Sequence, residues 1–474
     1  MGSKWKTSFL TDHYSISSGL SKPAKDFGTG YPFLSFKDIF YNYFLPDSLT
    51  QLVQSTDKER ASCSVRRGDV FLTRTSETMH ELGMSSVALK DYTDATFNGF
   101  CKRLRPKETS ELEPEYVGYY LRSPVFRQSM LAFSTMSTRA SLNNEMISRL
   151  EISYPDRKIQ KKIANILLSL DEKIAILRAI NQTLEQMSQT LFKSWFVDFD
   201  PVIDNALDAG NPIPEALQSR AELRQQVRNS ADFKPLPADI RALFPSEFEE
   251  TELGWVPKGW DIVKTEDIAI KIGMGPFGSN IKVSTFVDSG VPVISGQHLK
   301  AIIMIDGDNN FITSEHAEKL KNSTVYKKDI IFTHAGNIGQ VSIIPDDSEY
   351  DNYIISQRQF YLRVNESKSS PYYLIHYFRS EHGQHALLSN ASQVGVPSIA
   401  RPSTHLKNIA FLNPSKPLLE KFDKFCVPLF KQFNHNRKCS ISLTTLRDTL
   451  LPKLISGELS LEDLPDLIKQ TEAA

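Results

Sequence analysis

The strongest constraint on the fold is an internal repeat with a period of about 260 residues, the separation of Asp69 from Asp329. Four pairs of segments match in the same order along the two halves of the chain: 30–35 with 290–295, 68–73 with 328–333, 119–123 with 376–380, and 147–150 with 406–409. The separation drifts by only a few residues, as small loop insertions would cause. This period is far longer than the unit of a solenoid, which spans about 20–50 residues. The sequence therefore predicts two globular units of similar fold.

Each half of the repeat ends in a long amphipathic helical segment. In residues 159–195 the apolar side chains recur mostly every three or four positions, which is the spacing of one helix face, and residues 416–458 repeat the pattern. Nine positions represent these apolar stripes: Ile163, Leu170, Leu177, Leu184 and Leu191 in the first helix, and Phe422, Leu429, Leu443 and Leu450 in the second. Helices of this kind would be roughly 55–60 Å long. Their near-heptad spacing predicts an antiparallel coiled coil between the two helices, and the alternative is that each helix packs on its own globular unit.

The globular units combine both types of secondary structure. Residues 70–73, 330–333 and 341–344 are short runs bounded by turn residues, which predicts strands. Segments 114–131 and 371–388 begin with proline, a residue favoured in the first turn of a helix, and we expect one helix in each. The predicted fold class is mixed α/β (α+β), with two similar globular domains and two long helices related by a pseudo-two-fold internal repeat.

The charge of the chain is distributed unevenly. Lysines and arginines number 55 against 56 aspartates and glutamates, so the net charge is −1. Residues 201–253 are rich in proline and contain ten acidic and five basic side chains, a local charge of −5, which leaves +4 for the remainder. This segment is predicted to be an acidic connector with one helix over residues 215–227. So small a net charge gives no sign of a basic nucleic-acid-binding protein.

The composition excludes several classes of protein. Apolar residues make up 40% of the chain and charged residues 23%, which is typical of globular domains. No run of 18 apolar residues is present, so no membrane span is predicted. The cysteines have neither the spacing of a metal site nor that of a disulfide framework. We therefore expect a cytoplasmic protein with no membrane partner.

Four local strings carry a resemblance to a known family. They are residues 191–196, 254–260, 275–279 and 446–454. None of them is diagnostic alone, but their order together with the internal repeat is specific. Along nearly its whole length the sequence resembles the specificity subunits of Type I restriction-modification enzymes. The resemblance implies that the chain is not an enzyme and that it binds double-stranded DNA within a larger complex.

In that family each globular unit is a target recognition domain for one half of a bipartite asymmetric DNA site, and the paired helices set the gap between the half-sites. Two modification subunits bind the helices and carry S-adenosylmethionine and adenine methylation, while restriction subunits, where present, use ATP and Mg for translocation and cleavage. The chain itself would hold no cofactor and no metal. The resemblance divides the chain into recognition domain 1 (1–156), a first spacer helix (157–200), the connector (201–253), recognition domain 2 (254–415), a second spacer helix (416–458) and a C-terminal tail (459–474).

Candidate DNA-binding residues follow from the usual base contacts, which are arginine to guanine and asparagine or glutamine to adenine. The candidates lie in loops after predicted strands or glycine-rich turns: Arg74 and Arg139 in the first domain, and Ser279, Asn280, Lys282, Gln297, His298 and Arg401 in the second. Arg122 and Arg379 occupy matching places in the repeat. Because the two half-sites are expected to differ, we predict structural roles for both.

The main alternative function is a self-contained metal-dependent endonuclease. Asp156, Asp171 and Lys173 imitate the PD-(D/E)xK spacing of such enzymes. Asp171 and Lys173 lie two positions apart within a predicted helix, however, so their side chains would point in diverging directions. A third interpretation is a coiled-coil assembly protein that is indifferent to DNA sequence.

Other catalytic signatures are weak or missing. Residues 273–278 satisfy the GxGxxG pattern, but no convincing helix follows to bind a pyrophosphate. His382 and His385 would supply only two metal ligands. The chain lacks both an (N/D)PP(Y/F) motif for adenine methylation and a GxxxxGK(S/T) phosphate loop. These observations favour recognition over catalysis.

Overall fold

The computed structural model describes residues 5–76, 81–132, 140–278, 280–392 and 395–462. The chain divides into two compact units: unit 1 comprises Met1–Ile176 and Cys439–Ala474, and unit 2 comprises Leu177–Lys438. Both long helices are present, at Arg157–Phe196 and Lys416–Ser456, and each contributes one part to unit 1 and the other part to unit 2.

The strands of unit 1 are short and occur throughout its globular part. They are β1 (Lys6–Phe9), β2 (Tyr14–Ser18), β3 (Phe27–Leu34), β4 (Gln51–Val53), β5 (Val70–Thr73), β6 (Thr75–Ser76), β7 (Ser85–Val87), β8 (Thr96–Phe97), β9 (Cys101–Pro106), β10 (Ala140–Ser141) and β11 (Glu151–Tyr154). The helices are α1 (Leu10–His13), α2 (Phe36–Tyr41), α3 (Asp57–Ser62), α4 (Pro114–Tyr120), α5 (Pro124–Ala132), α6 (Asn144–Ser148) and the first part of α7 (Arg157–Phe196), with a 3-10 turn at Ala24–Asp26.

Two sheets form the body of unit 1. The first has the order β2-β9-β5-β7, with all neighbours antiparallel. The second has the order β4-β3-β8, in which β3 is antiparallel to β4 and parallel to β8. Two further antiparallel pairs join β1 to β11 and β6 to β10.

Unit 2 repeats this inventory with a few additions. Its strands are β12 (Phe248–Thr251), β13 (Gly254–Pro257), β14 (Asp261–Lys264), β15 (Ala269–Met274), β16 (Val291–Ile294), β17 (Asn310–Ile312), β18 (Thr324–Tyr326), β19 (Ile330–Thr333), β20 (Val341–Ile343), β21 (Asn352–Ile355), β22 (Gln359–Val364), β23 (Ala391–Ser392), β24 (Ser398–Ile399) and β25 (Ala410–Asn413). Its helices are α8 (Asp200–Ala209), α9 (Gln218–Arg228), α10 (Ala238–Arg241), α11 (Ser314–Lys319), α12 (Pro371–Arg379), α13 (Glu381–Leu388), α14 (Pro402–Asn408) and the first part of α15 (Lys416–Ser456). Short 3-10 turns lie at Glu215–Leu217, Thr265–Ile268, Val283–Thr285, Gly296–His298 and Lys321–Ser323.

The sheets of unit 2 have the same connections as those of unit 1. The first sheet has the order β15-β22-β19-β20 and is antiparallel throughout. The second has the order β17-β16-β21-β18, in which β16 is antiparallel to β17 and parallel to β21, as β3 is to β4 and β8; β18 adds a fourth strand, antiparallel to β21. The strands β14 and β25 pair as β1 and β11 do. The predicted fold class, two similar α/β domains with long helices, is thereby confirmed.

In the first sheet of each unit, the inner strand β5 or β19 is buried on both faces. In β5 the side chains of Val70 and Leu72 pack in one apolar cluster, while Phe71 between them packs in another. In β19, Ile330 and Ile331 divide between two clusters in the same way. Successive strand residues point to opposite faces of a sheet, so a strand covered on both sides must be apolar at every position. This is why the short apolar runs were recognisable in the sequence.

The two predicted helices that begin with proline are each divided in two. In unit 1, α4 ends before Pro124, because the residue that precedes a proline is disfavoured in the helical conformation. In unit 2, Ser380 ends α12 in an extended conformation and caps α13, where its hydroxyl accepts a hydrogen bond from the Gly383 N–H group. The predictions of single helices at 114–131 and 371–388 were therefore wrong about continuity.

The long helices run antiparallel within each unit. In unit 2 the Asn436 amide donates to the Asn181 side chain at 3.0 Å, and Trp195 packs on Phe422 with ring centroids 6.1 Å apart. Residue numbers therefore rise along one helix as they fall along the other. The helix Lys416–Ser456 continues through Pro428 and Pro452, and each proline leaves one helical hydrogen bond unmade.

The apolar stripes are buried by pairing within the chain. Ile163, Leu170, Leu443 and Leu450 pack in the core of unit 1. Leu184, Leu191, Phe422 and Leu429 pack in the core of unit 2, and Leu177 is half-buried. The stripe residues therefore pack within the chain, while other faces of the two helices stay exposed.

A charged contact closes the helix pair in unit 1. The Asp171 carboxylate accepts hydrogen bonds from the Arg447 guanidinium and from the Tyr119 hydroxyl, each at 2.6 Å. The two donors come from the other long helix and from α4. Asp171 thus ties the helix pair to the globular part of unit 1.

The core of unit 2 contains an aromatic cluster around a buried histidine. His376 is stacked on Phe192 at 5.6 Å and packs edge-on against Phe422 at 5.4 Å. Its Nδ1–H group donates to the Tyr372 carbonyl at 2.6 Å. Burial lowers the pKa of His376 to about 4, so the ring is neutral at neutral pH.

This histidine should make unit 2 less stable in acid. Above pH 6.5 the ring is neutral in the folded and unfolded states, and its contribution is complete. As the pH falls from 6.5 towards 4 only the unfolded state takes up the proton, so up to about 3 kcal/mol of stability is lost. His376→Phe should flatten this part of the curve, measured by urea unfolding from pH 4 to 8. The exposed His382→Gln variant is the control, and a steep curve that persists in His376→Phe would contradict the assignment.

The acidic connector folds onto unit 2 instead of remaining extended. Three ion pairs join α8 to α9: Asp200–Arg220, Asp204–Arg224 and Asp208–Arg228. The partners in each pair are 20 residues apart, so the two helices run in the same direction. The predicted helix at 215–227 corresponds to α9, whereas α8 was not predicted. The helix α8 begins one residue before the connector. Three of its carboxylates are neutralised by arginines of the connector.

Candidate DNA interface

In each unit several loops meet at one end of the first sheet. In unit 1 this is the end at which Thr73, the last residue of β5, pairs with Cys101, the first residue of β9. In unit 2 Thr333, the last residue of β19, pairs in the same way with Gln359, the first residue of β22. We call these regions sheet end 1 (residues 18–20, 73–76, 98–102 and 140–142) and sheet end 2 (residues 274–278, 333–340, 356–360 and 397–401). Loops that converge on a rigid sheet are a common location for binding residues.

A glycine occupies the same place in both sheet ends. A Cβ atom on Gly19 would lie 2.3 Å from the Asn98 carbonyl oxygen, and one on Gly275 would lie 2.0 Å from the Ser356 carbonyl oxygen. Both distances are too short for any side chain, so glycine is required by close packing of two backbone segments. Gly275 belongs to the GxGxxG string, and a turn follows it in place of a helix that could bind a nucleotide.

The same backbone hydrogen bonds hold the two sheet ends. The Arg74 N–H group donates to the Phe100 carbonyl at 2.8 Å, and the His334 N–H group donates to the Arg358 carbonyl at 2.9 Å. The carbonyls of residues 74 and 334 in turn accept from Leu142 and Ile399, at 2.8 and 2.9 Å. Residues 74 and 334 are therefore structurally equivalent, and so are residues 100 and 358.

Three of the predicted DNA-binding residues lie on or beside these ends. Arg74 is exposed on sheet end 1. Arg401 is exposed on sheet end 2, where it follows β24 in a left-handed conformation (φ +46°). Gln297 is also exposed. It lies beside sheet end 2, since the carbonyl of the neighbouring Gly296 accepts a hydrogen bond from Gln340 at 3.2 Å.

The remaining candidates are placed differently. Asn280 and Lys282 are exposed on a loop anchored to α11, where the Asn280 carbonyl accepts a hydrogen bond from His316 at 2.8 Å. Arg139 and Ser279 lie outside the described residues. They stay predictions.

His298 is a correction to the predicted set. Its side chain is only 2% exposed, and its Nδ1 atom accepts a hydrogen bond from the Ser295 N–H group at 2.9 Å. Burial lowers the pKa of His298, so the ring is neutral and structural. A sequence does not show whether a polar residue after a strand turns inward, and here the Gly296–His298 turn directs it into the domain.

Sequence reasoning missed the residues that lie nearest to Arg74 and its equivalent. Phe100 is 63% exposed on sheet end 1, and Arg358 is exposed on sheet end 2. His334, half-buried, lies beside Arg358. The repeat contained the signal, since adding its period to Arg74 gives His334. The sequence did not indicate Phe100 and Arg358, because it does not show which turn lies against the end of β5 or of β19.

The electrostatics of sheet end 1 favour an anion. Lys102 is 8% exposed and donates to the Ser18 hydroxyl at 2.9 Å. Burial and the nearby Arg74 both lower the pKa of Lys102. Among the described residues, no carboxylate forms an ion pair with Lys102, Arg74 or, on sheet end 2, Arg358. Cations without acidic partners can bind phosphate or base edges.

The predicted structural arginines do pack inside the units. Arg122 donates to the Ser85 carbonyl at 2.6 Å, and Arg379 donates to the Val341 carbonyl at 3.0 Å. Ser85 and Val341 are the first residues of β7 and β20, so the two contacts are equivalent. The structural roles predicted for Arg122 and Arg379 are confirmed.

The residues of the endonuclease alternative have other roles. Asp156 accepts from the Lys158 and Ile159 N–H groups at the start of α7, and Asp171 is held by Arg447 and Tyr119. In the part of the chain that the structure describes, no group of three or more histidine, cysteine or acidic side chains could hold a metal ion. Over the same residues, no helix is long and apolar enough to cross a membrane.

Comparison with known proteins gives consistent matches. A family model described as the Type I restriction modification DNA specificity domain matches residues 2–186. The Type I restriction enzyme HindI specificity subunit of Haemophilus influenzae is 27% identical over 495 residues, covering 96% of this chain and 100% of that protein. The MjaIX specificity subunit of Methanocaldococcus jannaschii is 24% identical over 470 residues, covering 97% of this chain and 94% of that protein.

A solved structure shares the fold. The Type I restriction-modification system S subunit from M. genitalium superposes with a TM-score of 0.54 at 13% identity, over 96% of both chains. The duplicated sheet ends and the long helix pair give the chain two related surfaces with the same backbone geometry. Together with the matches above, they make the chain similar, over nearly its whole length, to the specificity subunits of Type I restriction enzymes.

Proposed function

We propose that this chain recognises a bipartite asymmetric DNA site for a Type I restriction-modification complex. Sheet end 1 would bind one half of the site and sheet end 2 the other half. The observation that carries this proposal is the duplication of the sheet end with different side chains at equivalent positions. Two surfaces with one backbone geometry and different chemistry suit a site whose halves differ in sequence.

The proposed DNA contacts differ in their support. Arg74, Gln297 and Arg401 are exposed on or beside the sheet ends, where base edges and phosphates would be within reach. Asn280 and Lys282 would contact DNA from the neighbouring loop of unit 2. His298 is assigned to packing.

The partner subunits would bind helix faces that the stripes leave free. Exposed apolar side chains of this kind are Ile180, Met187 and Phe425 in unit 2, and Ile176 and Ile441 in unit 1. Two modification subunits would carry S-adenosylmethionine and methylate adenine, and restriction subunits would use ATP and Mg²⁺. This chain would bind none of these cofactors. The complex would act on DNA in the prokaryotic cytoplasm.

The proposal is tested by mapping methylated adenines. Unmethylated genomic DNA is treated with the chain assembled with its modification subunits, and modified positions are sequenced. We expect one two-part motif with a fixed gap. A continuous motif would contradict the two-surface proposal, and methylation independent of sequence would support the assembly-protein interpretation instead.

A second prediction concerns the affinity of the chain alone. Because the net charge is −1, the isolated chain should make few net phosphate contacts and bind its site at least about tenfold more weakly than the assembled methyltransferase. Its affinity should also depend less on salt. Fluorescence anisotropy of a labelled duplex from 50 to about 200 mM salt measures both quantities. Equal affinities and equal salt slopes would show that the partners add no DNA contacts.

A further inference from the structure

The two sheet ends exchange the position of an arginine. At the equivalent positions 74 and 334 the residues are Arg74 and His334, and at positions 100 and 358 they are Phe100 and Arg358. At these two pairs of equivalent positions each sheet end therefore has one arginine, but on a different backbone segment. Equivalent positions with exchanged chemistry are the places where two related surfaces would differ in the base that they recognise.

We propose that Arg358 is a specificity-determining residue of unit 2 and that it contacts a guanine in the half-site bound by sheet end 2. The inference rests on the proposed function and deepens it, because it assigns a base preference to one residue. An arginine can donate two hydrogen bonds to the O6 and N7 atoms of guanine, which is the commonest specific contact in the major groove.

The backbone that carries Arg358 is held firmly. Its carbonyl accepts from His334, whose Nε2–H group donates to the Gln357 carbonyl at 3.1 Å. The next residue, Gln359, is 1% exposed, and its carbonyl accepts from the Gly275 N–H group at 2.8 Å. A fixed backbone places a side chain reproducibly, and base recognition requires this more than phosphate binding does.

The guanidinium itself is available. A Cβ atom on Gly336 would lie 3.4 Å from Nη1 of Arg358, so the group lies over a residue that has no side chain. Among the described residues it forms no ion pair, in contrast to Arg363 nearby in sequence, which is paired with Asp329 at 2.7 Å. An arginine without a carboxylate partner keeps its donors for a ligand.

The loops of sheet end 2 meet beside Arg358. Gly336, which lies against the guanidinium, belongs to the hairpin, and its N–H group donates to the Pro397 carbonyl at 2.9 Å. Residues 333–340 and 397–401 are therefore joined next to this side chain. A duplex that bound to these loops would bring its base edges within reach of the exposed guanidinium.

The test uses the assembled methyltransferase and a library of duplexes in which both half-sites are randomised. Arg358→Ala should lower methylation of the preferred sequence by roughly 5- to 100-fold and relax the preference at one position of one half-motif. Arg358→Lys should also lose the base preference, because lysine keeps the charge but cannot donate in the bidentate geometry. Lys319→Ala, which removes an exposed cation paired with Glu315 elsewhere in unit 2, is the matched control.

The outcomes are distinct. A wild-type complex that yields no bipartite motif would overturn the proposed function itself. If the wild-type motif is present and Arg358→Ala leaves it and the rate unchanged, only the assignment of Arg358 fails. Uniformly slower methylation with an unchanged motif, rescued by Arg358→Lys, would show a phosphate contact and also overturn it. Phe100→Ala should change only the other half-motif, and a change in the same half would contradict the equivalence of the two positions.

Discussion

Replacing Trp195 by alanine is expected to reduce the free energy of unfolding of unit 2 by about 3–5 kcal/mol. The indole is 2% exposed and lies against Phe244 at 5.2 Å and Phe425 at 5.8 Å. It joins one long helix to the other and to the connector. Its removal leaves a cavity lined by aromatic rings that cannot collapse together, so both burial and packing are lost.

This loss can be measured by urea unfolding followed by circular dichroism, with hydrogen exchange of unit 2 peptides to assign the transition. Trp195→Phe should cost less, because it retains an aromatic ring. Ile180→Ala removes a side chain that is 41% exposed on the same helix and should change stability by no more than about 0.5 kcal/mol. Equal losses in Trp195→Ala and Ile180→Ala would show that the aromatic cluster does not stabilise unit 2.

Inserting one heptad into both long helices is expected to lengthen the gap in the DNA motif by about 3 base pairs. Seven residues add about 10.5 Å to a helix, and one turn of DNA spans roughly 34–36 Å in about 10 base pairs. The boundaries between the two units, after Ile176 and after Lys438, are the places to insert. The contacts inside each unit are then unchanged, and a heptad preserves the apolar stripe.

The measurement is again the methylation motif of the assembled complex. Both half-motifs should be identical to those of the wild type, with only the gap altered. Insertion into the first helix alone is the control, because it displaces one stripe relative to the other and should abolish assembly. An unchanged gap in the double insertion would show that the helices do not set the spacing.

The repeat made much of the fold predictable. Once the segments around Asp69 and Asp329 are aligned, the strands β5 and β19 and the long helices follow, because buried strands and amphipathic helices have local periodicities. The division of residues 114–131 and 371–388 into two helices each depended on Pro124 and on the cap at Ser380. The helical fold of the connector depended on ion pairs between residues 20 positions apart, such as Asp204 with Arg224.

The candidate site was only partly predictable, for a physical reason. Arg74 follows a recognisable strand, so its exposure at the strand end could be expected. Phe100 and Arg358 reach the same surface by hydrogen bonds to residues more than 20 positions away, and a local pattern contains no such information. His298 shows the reverse case, a polar side chain in a loop that is directed inward.

The glycines at positions 19 and 275 have a consequence for how new specificities arise. They fix the meeting of two backbone segments without using any side chain, so the geometry of the turn does not depend on the exposed residues around it. Substitutions at the exposed positions 74, 100 and 358 can therefore accumulate while the domain keeps its fold. A lineage could thus acquire a new target by point mutation, one half-site at a time, and would not need to exchange an entire domain.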